Sequence, residues 1–229
     1  ADGTITKSGG RVVKNVQGYE MHRLHTGAFG TLGIVSQVAF KLLPIPPEQQ
    51  SVIAWFDNQD TAQDVGMSFV NGLFAPEAIS LIHGPVTQQV LIEAGETYTR
   101  DETWVLAIRL GGGVRSIERQ VNEVVGASGA NGATGYAVLS DIDASAMWAK
   151  LEETETKSRT IIRMTSRTSN ALAASHEIAT SNIKGEKWVS TVCDLGFGAV
   201  TVVADLPNDA ESLQFINSTV HTIKKHQGS

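Results

Sequence analysis

The chain has 229 residues, 41% hydrophobic and 18% charged, with a formal net charge of −6 at pH 7. That is enough apolar material for one large core or two small ones, so a natively disordered chain is excluded. No run approaches the roughly 18 to 20 apolar residues of a membrane-spanning helix. No dense Lys/Arg stripe offers the phosphate neutralisation on which nucleic-acid binding rests.

In chain order, the first regular element predicted is a mostly buried strand over Ile34 to Leu43, where Ile34, Ser36, Val38, Phe40 and Leu42 alternate against Val35, Gln37, Ala39, Lys41 and Leu43. It ends at Pro44-Ile45-Pro46-Pro47, which continues neither a helix nor a central strand and marks a domain junction. Domains are therefore expected over 1–47 and 48–229. Ser51 to Phe56 reads as a strand. Asp60 to Phe74 reads as a helix, with Ala62, Val65, Phe69 and Leu73 on one face. Ala78 to His83 is a strand, Val86 to Ile92 a weaker second strand, and Thr103 to Leu110 a strong third.

Val114, Ile117, Val121 and Val124 predict another amphipathic helix, followed past Gly126 and Gly129 by a strand around Thr134 to Leu139. This β-α-β, hairpin strand, β-α-β order predicts two helices on one face of an antiparallel sheet, a ferredoxin-like α+β arrangement. Ile161 to Thr165 and Ala199 to Ala204 extend it as strands. Ser169 to Ala179 and the run Leu213, Ile216, Val220, Ile223 extend it as helices.

The chemistry concentrates before the prolines. Gly27, Gly30 and Gly33 stand three apart in Gly-Ala-Phe-Gly-Thr-Leu-Gly-Ile-Val, just ahead of the predicted strand. Glycine permits positive φ and lets a ligand approach the backbone, so the stretch is either a ligand-facing turn or simply a tight bend.

The runs Gly9 to Glu20, Gly27 to Val35 and Lys41 to Pro44 resemble the second half of the PCMH-type FAD-binding domain of FAD-linked oxidases of the vanillyl-alcohol-oxidase type, and within them the FAD-binding subunits of glycolate oxidases. Residues 51–229 resemble the C-terminal cap domain of the same oxidases. The resemblance implies FAD as cofactor, with Lys14, Asn15, Gly18 and Tyr19 shaping the flavin cavity. It further implies that Gly27, Gly30, Thr31, Gly33, Ile34 and Val35 lie along the flavin. Gln17 stands where relatives usually carry alanine, and Glu20 where aspartate is common.

The implied activity is oxidation of a short 2-hydroxy acid such as glycolate. Partners would be a second flavin subunit and an iron-sulfur subunit, in a cytoplasmic complex or one peripheral to a membrane. A self-sufficient D-lactate-type dehydrogenase and a non-catalytic assembly subunit are the alternatives. Catalytic relatives carry a histidine-rich, glycine-rich segment near the end of the cap; the nearest stretch here, Cys193 to Gly198, has no histidine. Family members also possess an N-terminal subdomain that holds the FAD pyrophosphate and a C-terminal Asn-Pro-Gly turn. Neither is found in these residues, so an internal piece of a longer protein is expected.

Other residues offer lesser chemistry. Arg109 and Arg163, in apolar strand contexts, suit bidentate capture of a carboxylate, with Arg163 favoured; a solvent-facing or acid-paired arginine is the plainer reading of both. His22 and His25 beside the flavin segment suit either a flavin contact or a surface role. Gly111-Gly112-Gly113 lacks the Lys and Ser/Thr of a phosphate loop and reads as a strand-to-helix turn. Asp143 reads as a helix N-cap rather than half of a metal pair with Asp141. Cys193 is the only cysteine, which precludes an intrachain disulfide or a Cys-ligated metal cluster.

Overall fold

A computed structural model describes residues 3–11, 18–96, 103–158, 160–180, 189–206 and 208–227. The chain divides into two compact units, Ala1–Ile45 and Pro46–Ser229.

Among the described residues of the first unit the regular element is a short helix, α1 (Met21–His25), followed by turns. The buried strand expected over Ile34 to Leu43 does not form: residues 33–45 pair with no strand, and their large apolar side chains are exposed. Alternation alone makes no strand, because the backbone also requires a ladder to bond to.

The second unit is one seven-stranded, wholly antiparallel sheet between two layers of helices. Its elements are β1 (Glu48–Phe56), α2 (Gln59–Val70), β2 (Ala78–His83), α3 (Val86–Glu93), β3 (Trp104–Gly112), α4 (Val114–Ala130) and β4 (Gly135–Leu139). There follow α5 (Asp141–Lys157), β5 (Thr160–Thr165), α6 (Thr168–Thr180), β6 (Val189–Asp194), β7 (Ala199–Ala204) and α7 (Asp209–Gln227). The spatial order is β4-β1-β3-β2-β6-β7-β5. Its first four strands follow the expected ferredoxin-like arrangement, so the α+β class with an antiparallel sheet is borne out.

The strands at the centre read as continuous apolar runs because both their faces are covered. Val52, Ala54 and Phe56 of β1 pack with Leu106 and Ile108 of β3 beneath α2, α4 and α6. The alternate residues Ile53, Trp55, Val105 and Ala107 pack against α3 and α5.

Three expectations are corrected. Val86 to Ile92 is helix α3 rather than a strand: Val86, Val90 and Leu91 are buried while Gln88 and Gln89 are exposed, a helical rather than a two-residue period. Helices accordingly cover both sheet faces, not one. The segment before Asp194 supplies an additional strand, β6, with Val192 and Cys193 facing opposite cores. Finally, Ser140 occupies the N-cap position of α5 and donates its hydroxyl to the Asp143 carboxylate at 2.7 Å, which places Asp143 inside the first turn.

Candidate functional site

The glycine-rich stretch of the first unit is a string of hydrogen-bonded turns continuing α1. Thr26 N–H donates to the His22 carbonyl at 3.0 Å, Ala28 N–H to His25 at 3.2 Å, and Thr31 N–H and Oγ1 to Ala28 at 2.9 and 2.7 Å. Gly27 and Gly30 take φ of 78° and 74°, a region that disfavours side chains, and Phe29 between them is held at 50°. A Cβ built on Gly18, Gly27 or Gly30 meets nothing within 4 Å, so the backbone there lies open to an approaching ligand.

At Gly33 the imidazole of His25 lies 3.2 Å from where a Cβ would sit, which brings these two residues together. His22 is exposed and shares a 3.3 Å hydrogen bond through Nδ1 with Ser8. Tyr19, Ile34 and Val35 are exposed. Lys14 and Asn15 lie outside the described residues.

In the second unit the two arginines differ. Arg109 on β3 donates to Gln49 Oε1 at 3.1 Å and lies 3.5 Å from the Glu77 carboxylate, tying together the first turns of the sheet at the end where β1 begins. Glu77 in turn crosses the backbone of Gly111 so closely that a side chain there would displace it. Arg163 is exposed on the edge strand β5, in register with Thr201 of β7.

The β6–β7 hairpin is a tight, self-bonded turn. The Asp194 carboxylate accepts from the amides of Gly196 at 2.9 Å and Phe197 at 3.1 Å, and Gly198 N–H donates to the Asp194 carbonyl at 2.9 Å. It presents Phe197, 83% exposed, at its tip.

A half-buried polar cluster sits at the opposite end of the sheet, with Trp104 and Gln59 buried and His176 exposed. His83 of β2 stacks on Trp104 of β3 with ring centroids 4.2 Å apart, and Trp104 lies 6.3 Å from His176 of α6, whose Nδ1 bonds Gln59 Oε1 at the start of α2. Burial, and then the neighbouring His176, lower the His83 pKa to about 4, so the ring is neutral at physiological pH. Burial likewise pushes the Cys193 thiol up to about 12, aided by Asp194, which keeps it protonated and unreactive. Neither histidine of this cluster lies in a motif that the sequence singles out. Their signal is the register, which sets His83 opposite Trp104. Among the described residues no group of three His, Cys, Asp or Glu side chains is placed to hold a metal ion, and no helix is long and apolar enough to cross a membrane.

No family model matches the chain. Among curated proteins it is 28% identical over 124 residues to the glycolate oxidase subunit GlcD of Bacillus subtilis, a match covering 54% of this chain and 26% of that protein. In sequence the chain is similar to glycolate oxidase subunits. It is 33% identical over 63 residues to the glycolate oxidase subunit GlcE of Escherichia coli, covering 28% of this chain and 18% of that protein. A probable mitochondrial D-lactate dehydrogenase of Danio rerio is 29% identical over 163 residues, 69% of this chain and 30% of the relative. These matches thus span less than a third of each relative's length. Among solved structures, alkyldihydroxyacetonephosphate synthase superposes on 90% of this chain and 45% of its own, with a TM-score of 0.59 at 13% identity, a likeness of fold.

Proposed function

We propose that this chain belongs to the FAD-binding subunit of a flavin-dependent oxidase or dehydrogenase acting on a short 2-hydroxy acid such as glycolate. The observation that carries the reading is the glycine-rich run 27–35, whose positive φ angles at Gly27 and Gly30 and open surroundings leave its backbone free for a large flat cofactor. In this reading residues 1–47 belong to the flavin-binding domain and 48–229 to the cap. Lys14, Asn15, Gly18 and Tyr19 shape the cavity, and Gly27, Gly30, Thr31, Gly33, Ile34 and Val35 lie along the flavin. The donors and exposed apolar groups present suit FAD, which when bound supplies the hydride acceptor.

The protein's own contribution is orientation and charge. Arg163, the weaker assignment, would hold the substrate carboxylate from the edge strand. Partners in this reading are a second flavin subunit and an iron-sulfur subunit, in a cytoplasmic or membrane-peripheral complex.

A second reading, a non-catalytic assembly subunit of the same complex, is favoured by the β6–β7 hairpin, which presents Phe197 and no histidine where catalytic relatives are histidine-rich. Dye reduction by the assembled complex with glycolate or D-lactate tests both. The first reading predicts that Arg163→Ala raises KM for the hydroxy acid by about tenfold or more, the loss of roughly 1.5 kcal/mol of charge-assisted binding. An unchanged KM removes Arg163 from the site. Full activity of the partners without this chain would reject catalysis by it.

A further inference from the structure

We propose that the edge strand β4 is a self-association surface, through which two copies of this chain pair antiparallel into one continuous sheet. β4 stands at one end of the strand order and pairs with β1, so among the described residues its other edge meets no strand. Such an edge offers unpaired amides and carbonyls to any extended chain, and proteins that stay apart protect it with charge or proline. From Val124 to Ser140 the sequence holds neither a charged residue nor a proline. The opposite edge, β5, is protected in that way, with Arg163 at mid-strand between Lys157 and Arg167. Tyr136 and Val138 lie in register with Ala54 and Val52, and where those are buried under the helices, Tyr136 is 50% and Val138 43% exposed.

The occupant is a second copy because the strand complements itself. An antiparallel pair centred on Ala137 sets Tyr136 against the second copy's Val138, and Val138 against its Tyr136, the aromatic and β-branched pairing that supports a ladder. It sets Gly135, whose own side-chain space the Trp55 ring fills, against the larger Leu139. Ala137 meets its own copy at the two-fold axis, the isologous arrangement of a closed dimer. The next charge beyond the strand, Asp141, falls opposite Ala133 rather than opposite another acid. With a net charge of −6 two copies repel in general, and β4 is where they meet without like charges in contact. The inference rests on sheet register and composition, not on the flavin reading.

Light scattering on the 229-residue chain and on the complete reading-frame product, over about 1 to 100 μM, tests it. Both should show twice the mass of one chain. Val138→Lys, which puts two ammonium groups beside the axis, should raise the dissociation constant about tenfold or more in each. Val138→Thr should retain the dimer, and Ile161→Lys on the far edge strand β5 should leave it unchanged. In the 229-residue chain Cys193 is the sole cysteine and is fully buried, so Ala137→Cys adds the one thiol at a sheet edge. Residues directly opposed in an antiparallel pair lie within disulfide reach, so mild oxidation should link Ala137→Cys to its own copy and leave Ile161→Cys unlinked. That link decides the matter even where Val138→Lys fails to fold. A monomer in either form, a dimer indifferent to Val138→Lys, or no cross-link at position 137 overturns the proposal.

Discussion

Phe56 and Phe40 sit in similar company in the sequence, each near the end of a run of β-branched and small apolar residues, yet Phe56 is fully buried and Phe40 is 81% exposed. The difference lies in what surrounds the strand-like run. Val52 to Phe56 has β3 on one side, β4 on the other, α2 and α4 above and α5 below. Residues 34–43 have none of these among the described residues. The two units therefore separate two quantities that sequence patterns merge: the tendency to form a strand, which both runs share, and the completion of a sheet, which only the second unit supplies from its own residues.

The largest effect should come from truncating the buried member of the pair. Phe56→Ala should destabilise the second unit by about 3 to 5 kcal/mol through lost burial and a cavity. Phe40→Ala in the same chain should fall within about 0.5 kcal/mol, as exposed substitutions do. Denaturant unfolding followed by the fluorescence of the buried Trp55 and Trp104 reads both. Equal losses would mean that the first unit is covered after all.

Next in size is the pH response of the buried histidine. In the unfolded chain His83 takes up a proton near 6.5, whereas in the fold it does so only near 4. Stability is therefore undiminished above about pH 6.5, declines as pH falls through that window, and levels off below about 4, with a total loss of about 3 kcal/mol. His83→Phe should flatten this dependence in melts between pH 4 and 7. A wild-type profile with no slope across that window would show that the ring is hydrated rather than buried.

A smaller increment tests the entry to the first long helix. Asn58 accepts from the amides of Asp60 at 2.7 Å and Thr61 at 3.3 Å, so Asn58→Ala should cost about 1 kcal/mol. If the cap is immaterial, the unfolding midpoint will not move.

The second unit was legible in the sequence wherever an element carried its own period. β7 reads at its observed bounds, and α6 and α7 form where expected, but α7 buries Ser212, Phe215 and Thr219 and leaves Leu213 of the expected stripe exposed. Legibility failed where the run was short. Val86 to Ile92 has strand composition, but Pro85 ahead of it and the polar pair Gln88-Gln89 favour a helical turn. β6 escaped notice because Val192 and Cys193 belong to opposite cores, a fact visible only once both helical layers exist. In the first unit the glycines at 27 and 30 announced their positive φ angles correctly. The strand expected after them does not form, since alternation does not supply the neighbouring ladder that a strand must bond to.

The central claim, that the run 27–35 lies along a bound FAD, is tested most directly by the visible absorption spectrum of the protein after incubation with FAD and gel filtration, taken on the 229-residue chain and on the complete reading-frame product. The account predicts that the complete product retains the oxidised-flavin spectrum and loses it when Gly30, at φ 74°, is replaced by valine. A complete product that emerges colourless, or one whose Gly30→Val variant binds FAD undiminished, would contradict it.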